Sequence, residues 1–229
     1  MTYAVPMPAP VRFYFDFISP YAYVAWTQIH AIAERHGRTV EAVPILFAAL
    51  LDANRTKGPA EIPSKRVYIW KDILRTARVL GVPLTPPPAH PFNPLLALRV
   101  VSSVEREADK RRLIDVLYAA VWGGGSAGHH GVTEPSEVAG LLSDAGFDGP
   151  ALVALATTEA SKGRVRDQTN AALASGVFGV PTMLVEGELF WGVDALGHAE
   201  SRLRGEDPID GVDLSQWADL PAQAHRRRS

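Results

Sequence analysis

From Val11 to Phe17 the chain reads Val-Arg-Phe-Tyr-Phe-Asp-Phe, five of seven positions apolar or aromatic, which predicts a buried strand. Ile18-Ser19-Pro20 follows. Serine is a preferred helix N-cap and proline is favoured at the first helical position, so a helix is expected to start here. It runs through Tyr21, Val24, Ala25, Ile29 and Ile32 and stops at Gly37. Thr39 to Leu46 reads as a second strand. Strand, helix and strand within about 35 residues make a βαβ unit.

The middle of the chain changes period. Val67, Trp70, Ile73, Leu74, Ala77 and Leu80 recur at helical spacing within 65–80. Residues 81–94 hold six prolines, at 83, 86, 87, 88, 91 and 94, and form a rigid loop. Asn93-Pro94 opens a further helix by the same capping logic. Helices are expected over 109–122, 134–145, 151–161 and 164–175, the last ended by Gly176. Thr182–Val185 and Leu189–Trp191 are short strands, and Glu186-Gly187-Glu188 between them suits a tight hairpin. Asp194 is a candidate cap for a last helix, 195–203, stopped by Gly205. The order is β-α-β, a helical block, then α-β-β-α. The fold class is therefore α/β. The expected division is 11–48 and 164–206 for the strand-bearing unit and 49–163 for an all-helical insertion.

Composition narrows the chemistry. The 229 residues carry a net charge of −2, which is unlike the strongly basic footprint of a nucleic-acid binder. Residues 1–10 contain three prolines and no apolar run, so no signal peptide is expected. No window has the apolar length of a membrane span, and a cytoplasmic protein is the default. Cysteine is absent, which removes disulfides, thiolate metal sites and a catalytic cysteine. Any sulfur chemistry must use a borrowed thiol.

Four local features compete for function. Gly123, Gly125 and Gly128 fit a dinucleotide fingerprint, and Gly124, Ser126 and Gly128 fit a hydrolase elbow, with His129 or His130 as a base. Both patterns need a preceding strand, whereas this segment follows a helix, so a loop is the expected reading. The same two histidines are adjacent and lack metal-ligand spacing, so no metal site is assigned. Ser19 is accounted for as an N-cap, but a helix N-terminus also favours anions and lowers the pKa of a thiolate held there. Val180-Pro181 precedes a strand. The proline is either a trans residue opening an edge or a cis residue fixing a bend, and a bend would leave Val180 free to pair with an extended peptide.

Several segments, in order, carry a resemblance: Phe15-Asp16-Phe17-Ile18-Ser19-Pro20-Tyr21, Pro44-Ile45-Leu46, Asn54-Arg55, Pro63-Ser64-Lys65-Arg66, Pro91-Phe92-Asn93, residues 176–182, and Phe190-Trp191-Gly192-Val193-Asp194. From about residue 11 to 205 the chain resembles the family of 2-hydroxychromene-2-carboxylate isomerases and kappa-class glutathione transferases, within the DsbA-like thioredoxin superfamily. The resemblance implies a thioredoxin-like domain interrupted by a helical domain. It implies glutathione as cofactor, a small aromatic substrate and a homodimer. Ser19 stands where redox relatives carry the first cysteine of C-x-x-C, and Ser19-Pro20-Tyr21-Ala22 cannot form a disulfide. Ser19 is the implied catalytic residue, hydrogen-bonded to the glutathione sulfur. The implied glutathione contacts are Ser19, Pro20, Tyr21, Asn54, Lys65, Val180, a cis Pro181 and Asp194. Val180 would pair with the cysteinyl backbone, Asp194 would hold the γ-glutamyl end and Lys65 the glycine carboxylate. The family often has Gly-x-Asp-Arg where this chain has Gly192-Val193-Asp194-Ala195. The implied activity is glutathione-dependent cis-trans isomerisation of 2-hydroxychromene-2-carboxylate or a similar unsaturated oxo-acid. Three alternatives stand beside it: a kappa-like transferase or peroxidase, a hydrolase on Ser126, and a non-catalytic binding module. Lys65, Arg66 and a donor elsewhere in the helical domain are the candidates for stabilising substrate charge, and Tyr21, Phe47, Trp70 and Phe92 for apolar walls.

Overall fold

The computed structural model describes residues 8–124 and 131–221. Strand β1 (Val11–Phe15) lies in the middle of a four-stranded sheet ordered β2-β1-β3-β4. Strand β2 (Val40–Pro44) runs parallel to β1, with Val11 opposite Val40, and helix α1 (Pro20–Arg35) makes the crossover. Strand β3 (Thr182–Val185) runs antiparallel to β1, and β4 (Glu188–Trp191) antiparallel to β3. At the hairpin Glu186 and Gly187 both take positive φ, 51° and 87°, as a tight two-residue turn between twisted strands requires.

The alternation along β1 sorts the two faces of the sheet. Phe13 and Phe15 are fully buried against α1, where Trp26, Ile29 and Ile32 answer them. Tyr14 points the other way, into a smaller cluster with Ile45, Leu50, Ala172, Val177 and Val180. Each large side chain buried in this way contributes about 1.5–3 kcal/mol. The strand ends at Phe15, two residues before the end of the apolar run, because Asp16-Phe17-Ile18 turns away into the start of α1. Phe17 stays fully buried, edge-on to Phe15 at 5.4 Å.

Between the halves of the sheet stand α2 (Phe47–Ala53), α3 (Pro63–Val79), α4 (Leu95–Ser102), α5 (Glu107–Trp122), α6 (Pro135–Asp144) and α7 (Gly149–Ala156). A 3-10 turn, Pro59–Glu61, precedes α3. Helix α8 (Glu159–Ala174) leads back to β3, α9 (Leu196–Leu203) follows β4, and a short α10 (Ser215–Ala218) comes last. The helices expected over 151–161 and 164–175 are divided elsewhere. Thr158 caps α8 by accepting from the Ser161 N–H at 3.2 Å, so the break falls at Thr157-Thr158 and α8 runs through the 163/164 junction. Helix α2 was not foreseen, since its seven residues are too few for a readable period. One apolar cluster joins Phe13, Phe15 and Trp26 to Leu98, Ile114, Tyr118 and Trp122, so the helical block and the sheet share a core.

The glycine run follows a helix, α5, and not a strand, so neither glycine pattern has the context it needs. Gly125, Ser126, Gly128, His129 and His130 lie outside the described residues. No helix among the described residues is long and apolar enough to cross a membrane.

Candidate active site

Ser19 is the N-cap of α1. Its extended backbone (φ −94°, ψ 114°) precedes Pro20 at the first helical position, and its Oγ accepts from the Ala22 N–H at 3.1 Å. It is 8% exposed. Pro20 has no N–H to offer, and the Tyr23 N–H already serves the Ser19 carbonyl at 3.1 Å. That leaves the Tyr21 N–H as the open donor of the first turn, unpartnered among the described residues.

Across from Ser19, 161 residues away in sequence, lies Val180. The Val180–Pro181 peptide is cis. The Ser19 hydroxyl donates to the Val180 carbonyl at 3.4 Å, a long bond that a better acceptor can replace. Among the described residues no group takes the Val180 N–H. The Pro181 carbonyl accepts from the Gly192 N–H at 2.9 Å, which ties this junction to the end of β4.

The segment leading into Ser19 is held from three sides. Tyr118 Oη donates to the Asp16 carbonyl at 3.4 Å, Trp122 Nε1 to the Phe17 carbonyl at 2.9 Å, and His90 Nε2 meets the Ile18 carbonyl at 2.9 Å. A carbonyl partner requires the imidazole to carry its proton on Nε2, so Nδ1 is an acceptor, buried and without a partner among the described residues. Burial pushes the His90 pKa down, with Arg66 adding to the effect and the Ile18 carbonyl opposing it. The ring sits among Trp70 at 5.1 Å, Trp122 at 5.8 Å and Phe92 at 6.3 Å. The Asp16 carboxyl, 1% exposed, accepts from the N–H groups of Ile18 and Phe47. Its pKa is raised to about 7 by burial, the two amides pulling the other way.

The structure brings Ser19, Pro20, Tyr21, Val180 and Pro181 together. Tyr21 also donates its hydroxyl to Asp72 on α3 at 2.9 Å. Burial pushes that hydroxyl's pKa up, with Asp72 next and Tyr68 and Asp194 adding smaller pushes, so Asp194 lies within electrostatic range of Tyr21. Asn54, Lys65 and Asp194 are all exposed. Asn54 ends α2 and donates to the Leu50 carbonyl at 2.8 Å. Lys65 sits in the first turn of α3. Among the described residues no hydrogen bond or ion pair joins these three to Ser19 or Val180. Asp194 does not cap α9 as expected: Ala195 occupies the N-cap, without a side-chain bond. Gly192 explains why. Its φ is 97°, and a side chain there would collide with the Asp194 carboxylate, which folds back over it. Arg66 donates to the His90 carbonyl at 3.0 Å. Of the candidate walls, Trp70, Phe92 and Tyr21 pack on the main core, whereas Phe47 belongs to the smaller cluster on the other face.

Sequence reasoning missed the anchors Asp16, His90, Tyr118 and Trp122. Asp16 left a trace, a lone carboxylate between two phenylalanines in a buried run. The other three left none, because they act on main-chain carbonyls distant in sequence.

Fold and site together define a thioredoxin-fold protein with serine, and no thiol, at the start of its first helix. The family model for a DSBA-like thioredoxin domain matches residues 10–204. A 2-hydroxychromene-2-carboxylate isomerase from Sphingobium xenophagum is 31% identical over 199 residues, 86% of this chain and 99% of that protein. Glutathione s-transferase kappa 2 from Caenorhabditis elegans is 28% identical over 184 residues, 78% of this chain and 82% of its own. A solved 2-hydroxychromene-2-carboxylate isomerase superposes with a TM-score of 0.75 at 30% identity, covering 90% of this chain and 98% of that one. The chain belongs to the DSBA-like thioredoxin family, in the branch of 2-hydroxychromene-2-carboxylate isomerases and kappa-class glutathione transferases. These relatives support an enzyme, an isomerase or a transferase.

Proposed function

We propose that the protein is a glutathione-dependent cis-trans isomerase of 2-hydroxychromene-2-carboxylate or a similar aromatic unsaturated oxo-acid. The observation that carries this reading is the pairing of Ser19, capping α1, with the open edge of Val180 beside a cis proline, in a chain with no cysteine. These residues fit glutathione. The Tyr21 N–H and the helix N-terminus favour an anionic sulfur. The Val180 N–H and C=O offer a peptide backbone two strand-like bonds. In this reading Asp194 and Lys65 hold the peptide's charged ends from the rim, and Asn54 adds a polar contact.

Glutathione held by Ser19, the Tyr21 N–H and Val180 would supply a thiolate able to add reversibly to a conjugated double bond, which lets that bond rotate. The chain's own part is electrostatic. The Ala22 N–H holds the Ser19 oxygen in place, and its hydroxyl proton would turn from the Val180 carbonyl to a sulfur bound there. That exchange frees the Val180 carbonyl for the peptide. Trp70 and Phe92 supply apolar wall from the helical segment, and Arg66 or another donor of that segment stabilises charge on the substrate oxygen.

The test is turnover of 2-hydroxychromene-2-carboxylate with and without glutathione, with free thiol measured in parallel. The expected result is isomerisation that requires glutathione and consumes none. Stoichiometric thiol loss points to a transferase or peroxidase instead, and absence of glutathione binding to a non-catalytic module.

A further inference from the structure

Asp16 occupies a junction that the sulfur chemistry does not use. Its Oδ1 accepts from the Ile18 N–H at 3.1 Å, inside the turn that delivers Ser19, and its Oδ2 accepts from the Phe47 N–H at 2.9 Å. Phe47 is the first residue of α2, whose N-cap, Leu46, has no side chain able to cap. A carboxylate from the end of β1 therefore does that work across space. One ion ties the Ser19 turn to the helix that ends at Asn54.

Among the described residues, the hydrogen bonds around this carboxylate and its turn come from four elements. Helix α5 presents Tyr118, whose hydroxyl is on the Asp16 main-chain carbonyl. The proline-rich loop presents His90, on the Ile18 carbonyl. Helix α8 presents the Thr169 hydroxyl, which accepts from the Leu46 N–H at 3.0 Å, and the β2–α2 corner presents only main-chain N–H. Among the described residues no lysine or arginine pairs with Asp16. Both partners of the carboxyl are donors. A protonated carboxyl has an O–H that needs an acceptor, and neither partner is one.

We propose that Asp16 is a positioning residue: its ionised carboxylate holds the Ser19 turn against the start of α2, and uptake of a proton releases one of the two. The burial-raised pKa places this uptake near neutral pH. The consequence for ligand binding rests on the glutathione reading above, in which both elements face the peptide.

The probe is S-methylglutathione, which has no thiol proton to confuse the titration. Its affinity for the wild-type protein is expected to fall about tenfold on acidification from about pH 8 to about pH 6. Asp16→Asn is expected to bind it more weakly and with no pH dependence in that range. In the ligand-free protein, the amide resonances of Ile18 and Phe47 are expected to shift together with a midpoint of about 7. Both wild-type titrations stand even if the variant does not fold. The assignment is overturned if the two amides do not titrate together, or if wild-type affinity is flat across this range. A protein that binds neither glutathione nor S-methylglutathione at any pH sinks the glutathione reading alone, and the amide titration then decides the role of Asp16.

Discussion

At the turn over residues 16–19, three consecutive carbonyls each receive a side-chain donor from the helical block, and the carboxylate of Asp16 takes two amides. At the rim, Asn54, Lys65 and Asp194 are exposed, and among the described residues the Asn54 side chain bonds only to the Leu50 carbonyl of its own helix. The turn is determined several times over by buried groups. The rim is determined once, by the solvent-facing ends of helices and loops. Such a division suits a site that fixes a reactive sulfur rigidly and holds the rest of a peptide by charge. Changes in the turn should therefore move stability and chemistry together, whereas changes at the rim should move affinity alone.

The largest effect is expected from Trp122→Ala. Trp122 is fully buried and donates to the Phe17 carbonyl, so its removal leaves a cavity and an unpaired carbonyl. A loss of about 3–5 kcal/mol in denaturant unfolding is expected, together with loss of glutathione binding. A stable variant that binds normally would break the comparison at its stronger end. Next is Ser19→Ala, which removes the N-cap and the donor to sulfur. Turnover is expected to fall about 100-fold and stability by about 1 kcal/mol. The pKa of the bound thiol, followed by thiolate absorbance, is expected to rise.

At the rim, Lys65→Met and Asp194→Asn are each expected to weaken glutathione about tenfold in calorimetry, the worth of one charge-assisted hydrogen bond. Their unfolding free energies should stay within about 0.5 kcal/mol of the parent. A rim variant that unfolds easily would erase the distinction.

The smallest effect is the net pH dependence of stability, because a buried carboxyl and a half-buried imidazole oppose each other. The carboxyl of Asp16 keeps its proton in the folded state to about 7, whereas the unfolded chain loses it near 3.8, so its contribution to stability falls as pH rises through that window. Burial holds the folded-state pKa of His30 down at about 4, against 6.5 for the unfolded chain, so its contribution falls as pH drops through that range. His90 acts in the same direction. Wild-type stability is expected to vary little between about pH 4 and 7, to rise with pH in Asp16→Asn, and to fall with pH in His30→Gln. Denaturant midpoints across this range measure it.

Much of this contrast follows how each feature is written in the chain. Ser19-Pro20 announces its own helix start because capping is local, and the structure places Ser19 at the N-cap with Pro20 next. The β-α-β and α-β-β-α order was legible from short apolar runs, helical spacing and cap residues, and the hairpin from Glu186-Gly187-Glu188, of which Glu188 turns out to open β4. Val180-Pro181 was legible as either a trans edge or a cis bend, the resemblance implied the cis form, and the structure has the bond cis with Val180 opposite Ser19. The anchoring of the turn was not legible. Trp122 and Tyr118 read as ordinary core positions of a helix, and nothing in the sequence says that their polar atoms meet carbonyls about a hundred residues earlier. Asp194 shows the reverse error. Its residue type suits a cap, but the turn at Gly192 directs its carboxylate elsewhere.

The central claim is that glutathione places its sulfur at the N-terminus of α1. A crystal structure of the complex measures this directly. The account expects the sulfur within hydrogen-bond reach of Ser19 Oγ and the cysteinyl backbone paired with Val180. A sulfur lying away from Ser19, or a peptide bound along another edge, would contradict it.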